Sequence, residues 1–217
     1  MIKNNEVQSE LKSFNSLFFS FKYKYDLYTL FDDLLTIIIC CLARGTEEQL
    51  YFETIKRYKK EELNIFANLF GELILIYVKA KFSESWADPL GDYYELLASN
   101  SKKSAFGQFF TPKPICEMIA KIIQLPNEWG KTINEPCAGS GRFILASNHH
   151  ANGNYFVAQD LDPICCKMTA INMCLHEIRG EVHNMDTLRN ENLRISYSIN
   201  YDFHRHKTPL ILIKRPT

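Results

Sequence analysis

Apolar positions set the first helix: Leu27, Leu30, Phe31, Leu34, Leu35, Ile38, Ile39 and Leu42 recur at steps of three and four residues from Asp26 onward. Arg44-Gly45 stops the pattern, as a glycine C-cap would. Thr46-Glu47-Glu48-Gln49 reads as a capping box for a second helix through Leu50, Phe52, Ile55 and Tyr58. Glu61-Glu62 restarts a third, with Leu63, Phe66, Phe70, Leu73, Ile76 and Tyr77 on its apolar side. Residues 1–20 show no clear period. Asp88-Pro89 is a cap followed by proline at the first helical position, and leads a helix through Tyr93, Tyr94, Leu96 and Leu97. The polar run Ser99–Ser104 then marks the expected boundary of a helical bundle, residues 1–104, whose many aromatic side chains are read as core packing.

Beyond the boundary the period changes. Thr111-Pro112 starts another helix, with Ile115, Met118, Ile119 and Ile122 at helical spacing and an end near Leu125-Pro126. Strands are then predicted at 132–135, 155–159, 181–185 and 209–213, with helices over 141–150 and 163–178. Alternating strand and helix implies a parallel sheet with helices on its faces. The fold class is therefore α/β: the bundle, then a partial Rossmann-like sheet over residues 105–217.

The chemistry gathers around Phe106–Asp160. Ala138-Gly139-Ser140-Gly141 follows the strand ending at Glu135 and opens the helix at Phe143-Ile144-Leu145. Two glycines one residue apart permit a tight turn and close approach of a ligand. The helix start presents free N–H groups. No third glycine completes a dinucleotide-binding fingerprint. Glu135 stands at the carboxyl end of its strand, where open α/β sheets bind ligands, and favours an ammonium group over a pyrophosphate. Asp160 ends the next strand about twenty residues after Gly141, where a carboxylate can accept both hydroxyls of a ribose. Asp162-Pro163 reads as the cap of the following helix.

Taken in order, Asp88-Pro89-Leu90-Gly91-Asp92-Tyr93-Tyr94-Glu95, Gly107-Gln108-Phe109-Phe110-Thr111-Pro112, Asn134-Glu135-Pro136-Cys137-Ala138-Gly139-Ser140-Gly141, Gln159-Asp160-Leu161-Asp162-Pro163 and Asn184-Met185-Asp186 resemble the DNA adenine-N6 methyltransferases. The likeness is to the modification subunits of type I restriction systems in particular, and covers roughly Trp86 to Asp186. It implies S-adenosylmethionine as cofactor. By resemblance, Phe110, Thr111 and Pro112 touch the methionine carboxylate, and Glu135 pairs with the ammonium. Ala138, Gly139 and Gly141 let the backbone lie against the cofactor. Asp160 binds the ribose, Leu161 packs on the adenine, and Asp186 accepts from the adenine amino group.

The resemblance breaks at the acceptor motif, Asn/Asp-Pro-Pro-Tyr/Phe, which the family carries after its fourth strand. Here Leu210-Ile211-Leu212-Ile213 is read as that strand, and Lys214-Arg215-Pro216-Thr217 follows it. Lys214 donates but cannot accept. A cation ~4 Å from a sulfonium, at an effective dielectric of about 20, is repelled by roughly 4 kcal/mol. No catalytic residue is therefore assigned. The family sheet also has three further strands with no residues here to build them. Strand 210–213 is then an open apolar edge needing cover from the helical segment, a second copy or another subunit. Three functions follow: a cofactor-binding homologue without independent catalysis, a methyltransferase completed by a partner chain, or a DNA- or protein-binding module with a vestigial pocket.

Composition adds limits. The formal net charge is zero, so no global field draws the chain to nucleic acid. From Arg189 onward, however, six basic residues face only Glu191 and Asp202, a local patch suited to phosphates. Seven cysteines, including the adjacent pairs Cys40-Cys41 and Cys165-Cys166, argue against a disulfide framework and for a reducing cytoplasm. No Cys/His spacing suits zinc. The start lacks a signal-peptide core, and the apolar stretch Leu34–Ala43 is too short to span a bilayer.

Overall fold

The computed structural model describes residues 7–21, 24–100, 109–123 and 129–216. Helices α1 (Lys12–Phe19), α2 (Leu27–Leu42), α3 (Glu48–Ile55), α4 (Lys60–Phe82) and α5 (Pro89–Asn100) precede α6 (Lys113–Ile123). Then follow β1 (Thr132–Glu135), α7 (Arg142–His150), β2 (Tyr155–Asp160), α8 (Pro163–Leu175), β3 (Arg179–Asp186), β4 (Glu191–Ile199), α9 (Phe203–His206) and β5 (Ile211–Lys214).

The bundle forms around α2, which is apolar on most of its circumference and accordingly central. Asp26 accepts from the Thr29 N–H at 3.0 Å and caps it. Leu30, Leu34 and Ile38 are fully buried, each such side chain worth about 1.5–3 kcal/mol relative to exposure. Residues 12–19, aperiodic in sequence, form α1, whose Phe14 and Phe18 lie edge-on to Tyr93 at centroid distances of 4.7 and 5.2 Å. The capping box expected at Thr46–Gln49 does not form. Thr46 turns its hydroxyl back to the Ala43 carbonyl, and the Glu47 carboxylate is taken by Arg215. Helix α4 is long and apolar enough to cross a bilayer by length and composition, unlike 34–43. In this fold its Phe66, Leu69 and Leu73 belong to the core, while Leu75 and Phe82 face outward.

Strands β1, β2 and β3 are parallel neighbours in that order; β4 pairs antiparallel with β3, and β5 antiparallel with β4. The sheet is therefore mixed, not the parallel sheet expected, and 211–214 is the fifth strand, not the fourth. The overlooked β4 alternates Leu193, Ile195, Tyr197 and Ile199, a period-two signal that buries Tyr197 and Ile199. Helices on both faces were also expected. Two right-handed crossovers that step the same way along a sheet leave their helices on one side. Phe156, Ala158, Gly180 and Val182 are accordingly buried toward α8, whereas Tyr155, Val157, Gln159, Glu181 and His183 on the other face remain partly open. Helix α8 packs simultaneously on α2 and on the sheet, so one continuous core joins the bundle to the strands. Part of the expected boundary, residues 101–104, lies outside the described residues, as do Gly107-Gln108, the helix end at 125–126 and Thr217.

The β5 edge is partly clamped by the bundle. Arg44 donates to the Pro209 carbonyl at 3.0 Å, and Arg215 meets Glu47 at 2.6 Å.

Candidate functional site

A cavity of about 610 Å³ opens over the carboxyl ends of β1, β2 and β3. Each of these strands ends in a carboxylate: Glu135, Asp160 and Asp186, and all three line the cavity. Parallel strands place their ends side by side, so residues far apart in sequence converge there. Phe110, Thr111, Ala138, Gly139 and Leu161 also line it, together with Cys137, Ser140, Arg142, Thr187 and Leu188, which the sequence reading did not single out.

The loop after β1 is shaped by its own hydrogen bonds. The Ala138 N–H donates to the Gln159 carbonyl at 3.0 Å, and the Gly139 N–H to Asp160 Oδ2 at 2.9 Å. Asp160 Oδ1 accepts from the Asp162 N–H at 2.9 Å. Gly139 has φ +57°, and a Cβ there would stand 2.9 Å from the Phe110 ring, so the Phe110 segment seats directly on this residue. Gly141, at φ +90°, is the N-cap of α7, and its close neighbour is the Thr169 side chain, 3.2 Å from an added Cβ. Its need for glycine is conformational; it does not line the cavity. Pro112 does not line it either. Pro112 accepts the first helical bond of α6 from Cys116 N at 3.1 Å, so the helix starts one residue later than the Thr111-Pro112 reading has it. Asp162 caps α8 through the Ile164 N–H at 2.8 Å, as the sequence implies.

Among the described residues no cation pairs with Glu135 or Asp160. Burial raises the pKa of Glu135, opposed by the Cys137 N–H at 3.2 Å and reinforced by Asp160. Burial likewise raises Asp160, against the N–H groups of Asp162 and Gly139. Two desolvated carboxylates without a counter-charge favour a ligand that brings a cation and hydroxyl donors. Asp186 is held at the rim by the Arg189 N–H at 3.2 Å.

Lys214 does not enter this site. It lies on β5, at the sheet edge opposite β1, and turns to Glu181 at 3.5 Å. The repulsion argument against catalysis therefore fails, because the charge is not near the cavity.

A buried polar cluster stands behind the loop; the sequence reading has Asp88 in it as a helix cap and as part of the Asp88–Glu95 segment of the resemblance, not as a partner of Arg142. Asp88 Oδ1 does accept from the Gly91 N–H at 2.8 Å, but also from Asn172 Nδ2 at 2.8 Å. Asp88 Oδ2 accepts from Ser140 Oγ at 2.6 Å and Arg142 Nε at 2.7 Å. Arg142 Nη2 donates at 2.8 Å to both Asp92 and Glu95. Burial opposes the charge of Arg142, but Asp88, Glu95 and Asp92 outweigh it and lift its pKa above the ordinary value. The spacing of Asp88, Asp92 and Glu95, four and then three residues along one helix face, was the available signal.

Residues 85–203 match the profile of the N-6 DNA Methylase family, more than half of the chain. Among similar proteins, the type I restriction enzyme MjaVII methylase subunit of Methanocaldococcus jannaschii is 23% identical over 61% of this chain and 25% of its own length. The EcoKI methylase subunit of Escherichia coli is 25% identical over 47% of this chain and 23% of its own length. The HindI methylase subunit of Haemophilus influenzae is 30% identical over 42% and 22%. The chain thus spans about a quarter of the length of these relatives. A crystal structure of a type I restriction-modification methyltransferase subunit from Streptococcus thermophilus is similar at 23% identity, covering 85% of this chain and 45% of that one, with a TM-score of 0.46. On the extent of the profile match, which takes in the cavity's three carboxylates and the loop between them, the chain belongs to the N-6 DNA methylase family.

Proposed function

We propose that the cavity binds S-adenosylmethionine, and that the chain serves DNA adenine-N6 methylation in a restriction-modification type of system. The single observation that carries this reading is the pair of desolvated carboxylates, Glu135 and Asp160, beside the Gly139 turn, neither of which pairs with a cation among the described residues. In it, Glu135 pairs with the ammonium of the methionine moiety, Asp160 with the ribose hydroxyls, and Asp186 with the adenine amino group. Leu161 packs on the adenine, and the Phe110-Thr111-Pro112 segment lies toward the methionine carboxylate. The cofactor supplies an electrophilic methyl group.

Independent catalysis is not part of the proposal. Lys214-Arg215-Pro216, read in sequence as the acceptor motif, lies against Glu181 and Glu47. It brings no acceptor-gripping group to the cavity, so methyl transfer depends on a further subunit or segment that also holds DNA. The division into a helical part to residue 104 and a cofactor-binding part from 105, and a cytoplasmic setting, belong to the same reading.

Calorimetry with S-adenosylmethionine tests the first half: heat and a raised unfolding midpoint are expected, and neither would appear with a vestigial pocket. Labelled cofactor and adenine-containing duplex DNA test the second. Transfer is expected only when cell extract from the source organism is added, and transfer by the purified chain alone would overturn it.

A further inference from the structure

Arg142 lines the cavity, yet Asp88, just before α5, and Asp92 and Glu95, within it, pair with its charge. Its Nε and Nη2 are thereby committed to carboxylates, and its Nη1 reaches only the Thr111 carbonyl, at 3.5 Å. Glu95 uses its two oxygens on two different elements: Oε2 accepts from Arg142 Nη2 at 2.8 Å, and Oε1 from the backbone N–H of Phe110 at 3.0 Å. The Phe110 ring then lies 5.4 Å from the Arg142 guanidinium carbon and 5.6 Å, centroid to centroid, from Tyr94. Its edge sits where a Gly139 side chain would be.

We propose that Glu95 is a positioning residue for the cavity. It ties the Phe110 backbone to the Arg142 end of the glycine loop, so that the two segments walling the cofactor site hold a fixed separation. The inference rests on the cofactor reading above but makes a claim of its own. The tie needs acceptors at both ends, and only a carboxylate has two oxygens that both accept. A glutamine of the same shape offers one acceptor and one donor, and the donor must face either Arg142 or the Phe110 N–H.

The test compares the full chain with Glu95→Gln and, as a control for general destabilisation, Asp33→Asn, which weakens the Tyr58–Asp33 bond inside the bundle. Amide hydrogen exchange at Phe110 and Gly139 is measured without ligand, and the dissociation constant for S-adenosylmethionine by calorimetry. Expected for Glu95→Gln are faster exchange at both amides and affinity weakened on the order of tenfold, the scale of one lost charge-assisted hydrogen bond. Asp33→Asn should change neither. Unchanged exchange at Phe110 in Glu95→Gln overturns the positioning role, as does unchanged affinity in a wild-type protein that binds. Faster exchange in a chain that binds no S-adenosylmethionine would support the tie and remove the cofactor reading.

Discussion

Asp88 Oδ2 accepts from Arg142 Nε at 2.7 Å, with both side chains withdrawn from solvent. The pair joins the first residue before α5 to the first residue of α7, across 54 positions of sequence. It therefore anchors the bundle to the loop that floors the cavity.

Breaking this pair should be costly. Removing Arg142 strands the buried Asp88 charge, and removing Asp88 leaves Gly91, Ser140 and Asn172 without this acceptor although Asp92 and Glu95 still pair Arg142. Breaking a buried pair typically costs about 3–5 kcal/mol. Asp88→Ala and Arg142→Ala should each destabilise on that order in urea unfolding. The double variant should lose clearly less than the sum, because the two effects share one interaction. Additive losses would mean that the contact carries no coupling.

Three glycines should respond differently to alanine. Gly139→Ala meets the Phe110 ring at 2.9 Å from a φ of +57° and should weaken cofactor binding as well as stability. Gly141→Ala, at φ +90°, should cost stability by a similar route. Gly71, inside α4 with nothing within 4 Å of an added Cβ, should gain roughly 0.5–1 kcal/mol as alanine. Thermal unfolding of the three variants checks the order.

His176 should impose an acid limit. Its Nδ1 faces the Asn172 carbonyl at 2.8 Å and its Nε2 accepts from the Ala87 N–H, an arrangement for the neutral ring. Burial holds its pKa down, to about 4. The unfolded chain takes up the proton first as pH falls below about 6.5, so stability is lost progressively between there and about 4. The total is on the order of 3 kcal/mol. Urea midpoints across pH 4–7 should show the slope, and His176→Gln should flatten it.

The cavity carboxylates should titrate with the opposite sign. Glu135 and Asp160 have raised pKa values, so the ligand-free folded state takes up their protons before the unfolded state does. Their share of stability thus increases as pH falls through the folded values. On the proposed cofactor reading, affinity should move the other way, because protonation removes the charge that would hold the ammonium. Affinity is expected to decline at a pH above the ordinary carboxylate range of roughly 4. Glu135→Gln should bind at least tenfold more weakly at neutral pH, the scale of a lost ion pair in a desolvated site. Calorimetry from pH 5 to 8 measures both.

Local periodicity and turn chemistry were enough to place most elements, because those signals act over a few residues. Strand β1 falls at 132–135 as read, α7 and β2 begin within a residue of their predicted starts, and Asp88 and Asp162 cap the helices they precede. The convergence of Glu135, Asp160 and Asp186 was also legible, since parallel strands joined by helices bring their carboxyl ends together whatever the loops do. Long-range contacts were not. Nothing near Lys214 announces Glu181, and nothing near Glu47 announces Arg215; those ion pairs drew the tail and the α3 cap away from their sequence readings. The direction of β4, the open face of the sheet and the three carboxylates around Arg142 were likewise decided by packing. Each depends on which distant surface a segment meets, and a pattern along the chain records only which side of it is apolar.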